Sequence, residues 1–125
     1  MYNPRVVKKS AEATTLTVTA GEAIAVNDFV TILTDGQAEV TAAGEGIFGI
    51  ALESASAAGK KIKVLRAHPG MVVMMDNDNV GTTFASSHVG ARFDITGASG
   101  AQLVDTSTVA QDGTDAGQLF CIEFN

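Results

Sequence analysis

The sequence predicts an all-β fold: a single compact barrel or sandwich of about ten short strands, with at most one short helix. Three observations carry that prediction. Apolar and polar residues alternate with period two along most of the chain. Turn residues recur roughly every 6–12 residues, the spacing of a chain that folds back on itself as strands. No segment sustains an apolar stripe at helical spacing beyond about two turns. At 125 residues, the chain has room for one modest core and not for two separate domains.

The beginning of the chain is strand-poor, with Pro4 near its start, so residues 1–13 are read as a flexible, extended N-terminal arm and 14–125 as one β domain. Thr14-Thr15-Leu16-Thr17-Val18-Thr19 alternates with Leu16 and Val18 on one face, as a half-buried strand requires. Glu22-Ala23-Ile24-Ala25-Val26 alternates again, Asn27-Asp28 interrupts, and residues 29–34 resume. Asp35-Gly36 is a hairpin signal joining that strand to 37–41. Residues 42–46 read as a turn, 46–53 as a buried strand and 54–59 as a small-residue loop. In 60–66, Ile62 and Val64 face inward while Lys61 and Lys63 face out. His68-Pro69-Gly70 is a turn, 71–75 an apolar strand, 76–81 a loop and 84–89 one or two helical turns. Strands at 91–95, 101–104 and 119–124 complete the series. The last is apolar on both faces except at Glu123, so both faces should be covered, one of them by a neighbouring subunit through Leu119 and Cys121.

Composition narrows the function classes. Apolar residues reach 46% and charged residues only 18%, with a net charge of −6. The chain is too apolar for disorder and too acidic to bind phosphate backbones without sequence preference. One Tyr, no Trp and six Phe leave no aromatic platform for bases or sugars. Residues 10–19 contain no continuous apolar run, so no secretion signal is expected, and no stretch approaches the ~20 apolar residues of a membrane helix. Cys121 is the only cysteine, which rules out an intrachain disulfide and fits a reducing compartment. Charge is unevenly placed. Arg5, Lys8 and Lys9 make a basic head, residues 10–59 hold acids and no base, and Lys60, Lys61, Lys63 and Arg66 form a second basic block.

The candidate chemistries are each incomplete. Gly44-Glu45-Gly46-Ile47-Phe48-Gly49 matches the dinucleotide fingerprint in spelling, but the residues after it are extended and no crossover helix fits before Gly59. These glycines read as turn and bulge. Asp76-Asn77-Asp78-Asn79-Val80-Gly81 opens like a calcium loop, yet the fifth position is Val80 and the twelfth Ser87, where oxygen ligands are needed and a bidentate Glu closes the site. A solvated turn is the better reading. His68 and His88 stand outside any zinc spacing. Ser87, His88 and Asp94 carry no nucleophile elbow. The chain therefore reads as a non-enzyme with no cofactor and no metal.

Residues 19–30 (Thr-Ala-Gly-Glu-Ala-Ile-Ala-Val-Asn-Asp-Phe-Val), Asp35-Gly36, Gly46-Ile47-Phe48-Gly49-Ile50-Ala51, Ala58-Gly59-Lys60-Lys61-Ile62-Lys63-Val64, Gly70-Met71-Val72, Val89-Gly90-Ala91 and Gly97 carry a resemblance. In glycine spacing and short-strand rhythm, residues 15–124 resemble the small capsid decoration, or cement, proteins of tailed bacteriophages. The resemblance implies an all-β virion protein, made in the bacterial cytoplasm, with no enzymatic role. Such a protein binds the outside of the head and bridges major capsid subunits against the pressure of packaged DNA. It also implies a homotrimer, although some members are monomers or dimers. The acidic balance and the lack of a long apolar run already leave neither nucleic acid nor membrane as an expected partner. By position, the segment Tyr2 to Lys9 matches the family's capsid-binding arm. Arg5, Lys8 and Lys9 supply its charge, and Val6-Val7 can add to a sheet edge. The alternative is a virion-surface or soluble β module that recognises a host glycan or receptor.

Overall fold

Ten strands form among the residues the computed structural model describes, which are 4–8, 14–68, 71–78, 89–110 and 119–120. They are β1 (Arg5–Lys8), β2 (Thr15–Ala20), β3 (Phe29–Ile32), β4 (Gln37–Val40), β5 (Gly49–Ala51), β6 (Lys61–Arg66), β7 (Val72–Met74), β8 (Arg92–Thr96), β9 (Leu103–Ala110) and β10 (Leu119–Phe120). The fold is all-β, as expected. No helix long and apolar enough to cross a membrane occurs among the described residues.

Five strands pair in the ring β2-β4-β3-β5-β6, closed through β6 and β2. Every contact in this small barrel is antiparallel except the β2–β4 seam, which is parallel and only two pairs long, Thr19↔Gln37 and Ala20↔Ala38. The Asp35-Gly36 signal makes the β3–β4 hairpin. Gly36 takes φ 81° and its N–H donates to the Leu33 carbonyl at 2.9 Å, while Asp35 Oδ1 accepts the Gln37 N–H at 2.9 Å. Residues 42–46 form the expected turn, with Glu45 Oε1 accepting the Ala42 N–H at 2.7 Å.

Period two sorts the barrel wall between two cores. Val30 of β3, Ala51 of β5 and Ile62 and Val64 of β6 point inward, joining Ala20, Ile24, Ala38 and Ala55. Phe29 and Ile50, which pair across β3 and β5, point the other way. They form a second core with Ile95 of β8, against which Val6, Ile47, Met71, Val73, Met75 and Leu119 pack. One wall thus serves two cores, which is why residues 49–51 are buried on both faces. The small lumen explains the alanines: Ala20, Ala38, Ala51 and Ala55 fill space that larger side chains would overpack.

Outside the ring lie the three-stranded sheet β10-β8-β9 and the two-stranded sheet β1-β7. A parallel bridge, Asn77↔Val104, ties the end of β7 to β9.

Two expectations change. The alternation at 22–26 does not make a strand but a single bridge, Ile24↔Ala55, because Asn27 at φ 71° and Asp28 bend the chain immediately afterwards. The extended arm is a strand at 5–8, paired antiparallel with β7 through Arg5↔Met74 and Val6↔Val73, and Pro4 is buried. The helical turns expected at 84–89 fall on residues 84–88, outside the described set, and on Val89, which is in a turn.

Candidate interaction surface

Cross-strand partners share a face, and that rule divides the N-terminal strand. Val6 and Val73 face the second core. Arg5 and Met74 face solvent, where Arg5 Nη2 donates to Met74 Sδ at 3.0 Å. Met74 is 49% exposed, so this face joins a cation to an accessible thioether. Of the arm residues read from the sequence, Arg5 is therefore surface and Val6 is packing. Val7 and Lys8 belong to β1 by backbone, and Lys9 lies outside the described residues. The pairing imagined for Val6-Val7 on another protein's sheet is made here within the chain, to β7. Leu119 is half-buried against Phe29, Ile50 and Ile95, and Cys121 lies outside the described residues.

The arrangement that ties the β8–β9 turn to the barrel is polar, and it centres on the buried Asp28. Its Oδ2 accepts the Ala25 N–H at 2.8 Å and the Ser99 hydroxyl at 2.6 Å, and its Oδ1 accepts the Gly100 N–H at 2.8 Å. Ser99 and Gly100 lie in the β8–β9 turn, where Gly97 (φ 94°) and Gly100 (φ 77°) take left-handed conformations. Two residues on, the fully buried Gln102 works as a substitute strand. Its Oε1 accepts the Phe29 N–H at 2.6 Å and its Nε2 donates to the Thr41 carbonyl at 3.1 Å. Thr31 and Thr41 extend this polar row. Thr31 Oγ1 donates to the Gly46 carbonyl at 2.7 Å, which leaves it to accept from Thr41 Oγ1 at 2.9 Å. Each of these contacts is a hydrogen bond between the barrel and the β8–β9 turn or within the barrel.

Sequence reading passed over these residues because each is unremarkable locally. Asp28 reads as a strand breaker and Gln102 as a strand residue, and the partners that join barrel and turn are more than sixty positions apart. The one available signal is the Asn27-Asp28 pair, a left-handed residue followed by a capping carboxylate.

The dismissed motifs find structural employment. Gly44 takes φ 79° in the turn, and a strand, not a helix, follows Gly49. Gly49 is required by close approach, since a Cβ there would overlap the Leu65 carbonyl oxygen. Asp78 of the calcium-like stretch accepts the Thr106 N–H at 3.1 Å and hydroxyl at 2.9 Å, and no grouping suited to a metal occurs among the described residues. His68 keeps Nε2 buried without a hydrogen-bond partner, while Ser87 and His88 lie outside the described residues and Asp94 sits on β8 opposite Asp105.

No family model, curated protein or solved structure matches this chain. The surface must therefore be read on its own chemistry: one buried polar lock, an N-terminal strand with a solvent-facing cation, and a second basic strand, β6, with Lys61 and Lys63 exposed.

Proposed function

We propose that this chain is a structural virion protein that binds the outer surface of a phage capsid and stabilises the major capsid protein lattice. It acts without catalysis and as a small homo-oligomer, a trimer before a dimer. The observation that carries the reading is the placement of the basic N-terminal strand. It lies outside the barrel ring, anchored by Val6 and Pro4, with Arg5 turned to solvent. The resemblance assigns lattice contact to this segment. The remaining physics is compatible: weak contacts suffice when many copies engage one shell.

Sedimentation of capsids from a natural lysate tests the proposal. About one copy of this chain per capsid subunit supports it, since lattice binding sets a fixed stoichiometry. Absence from particles overturns it, and retention on cell envelopes instead favours a glycan- or receptor-binding module. The contact is probed with Arg5→Glu rather than by removing residues 2–9, because Val6 is part of the second core. Arg5→Glu should fold normally and load capsids several-fold less well, with the deficit shrinking as salt screens the charge.

A further inference from the structure

The β2–β4 seam closes the barrel only at residues 19–20, so among the described residues the first half of β2 is paired on one side alone. The register fixes which backbone groups this exposes. Arg66 N–H donates to Thr14 O at 2.9 Å and Ala20 N–H to Lys60 O at 2.7 Å, at the two ends of the β2–β6 ladder. In an antiparallel ladder, hydrogen-bonded pairs alternate. Residues 14, 16, 18 and 20 therefore bond to β6, and the N–H and C=O groups of Thr15 and Thr17 point away from it. Residues 14–17 are all exposed. Nothing on this edge blunts it, as it has no charge, proline or bulge in residues 15–18.

Two further observations say what would cover it. Leu16 shares the lumen-facing side with Val64, yet it is 38% exposed, with no strand beyond it among the described residues. On the outer side, Thr17 and Thr19 pair with Lys63 and Lys61. Those lysines, about 7 Å apart along one strand face, are exposed, as are Lys60 and Arg66, and none of the four is paired with an acid among the described residues. An added strand would lie about 4.8 Å from β2, with alternate side chains against Leu16 and toward the lysines.

We propose that the open edge of β2 is a strand-addition site for an extended segment of a partner protein in which acidic and apolar residues alternate. The backbone groups of Thr15 and Thr17 supply the ladder, Leu16 receives the apolar side chains, and Lys61 and Lys63 select the acidic ones. The site is separate from the N-terminal strand and does not depend on the capsid role.

The test uses the full chain and two capped peptides, four repeats of Glu-Val and four of Lys-Val, titrated by amide NMR. The acidic peptide should shift and protect the Thr15 and Thr17 amides and bind at least about tenfold tighter than the basic one. Thr17→Pro removes an outward N–H and no β6 bond, so it should weaken the acidic peptide at least about tenfold while leaving the barrel spectrum in place. If that variant does not fold, the pair Lys61→Glu and Lys63→Glu decides, because it should reverse the preference between peptides. The proposal is overturned if the acidic peptide leaves the Thr15 and Thr17 amides unmoved, or if both peptides bind alike. It is also overturned if a folded Thr17→Pro binds as the parent does. Self-association that Thr17→Pro abolishes would make a second copy the occupant and likewise overturn it. A chain that loads capsids but ignores the peptide would refute this site and leave the lattice reading standing.

Discussion

At the scale of the residue, Asp28 is the most consequential side chain in the described structure. A fully buried carboxylate must have its oxygens satisfied, and three donors from two separate chain segments do so. Asp28→Ala should cost about 2–4 kcal/mol, the range for losing charge-assisted bonds and leaving buried donors unmade. Ser99→Ala should cost about 1–2 kcal/mol. The double variant should lose less than the sum of the two, because they remove the same bond. Urea denaturation of the four proteins closes that cycle, and strict additivity would show that the bond contributes nothing. Gly49→Ala belongs to the same scale. The added Cβ would lie 2.7 Å from Val64 Cγ1 as well as overlapping a backbone carbonyl that cannot rotate away. About 1–3 kcal/mol of overpacking cost is expected in the same urea titration.

At the scale of the element, legibility followed the range of the interactions. The first four residues of β6 were readable, with Lys61 and Lys63 out and Ile62 and Val64 in, because pattern and burial are both period two there, whereas Leu65, buried directly after Val64, breaks the alternation. The β3–β4 hairpin was readable because Asp35-Gly36 encodes its own turn. The stretch 22–26 has the same alternation as a strand, but Asp28 takes the Ala25 N–H and the ladder stops at one bridge. A pattern of side chains cannot reveal where a backbone N–H goes. β1 escaped for a different reason: its partner, β7, is more than sixty residues distant, and its only apolar signal is Val6-Val7. Because Val6 packs on the second core, Val6→Ala should lower stability by about 1 kcal/mol, two methyl groups at partial burial. Arg5→Glu, on the opposite face, should stay within about 0.5 kcal/mol, as exposed substitutions do. Thermal melts of the two variants check the division. Equal losses would mean that β1 is held by its backbone ladder and not by its valine.

At the scale of the molecule, the shared wall makes the two cores one folding unit. Val30 and Ala51 cannot hold the lumen core unless β3 and β5 are in register, and the same register presents Phe29 and Ile50 to the second core. Gln102 reinforces the coupling, because its amide bonds Phe29 and Thr41 on the barrel from a loop that belongs to the β8–β9 sheet. Unfolding should therefore be a single transition. Hydrogen exchange should report the same opening free energy for Val64 in the barrel as for Ile95 in β8. Gln102→Ala removes the bridge while leaving both apolar clusters intact. It should cost about 1–3 kcal/mol, the penalty for orphaning buried backbone groups. More tellingly, it should separate the two amides, with Ile95 exchanging through a cheaper local opening while Val64 still requires global unfolding. If both amides fall together in Gln102→Ala, the wall of Phe29 and Ile50 alone transmits the coupling, and the buried amide sets only the total stability.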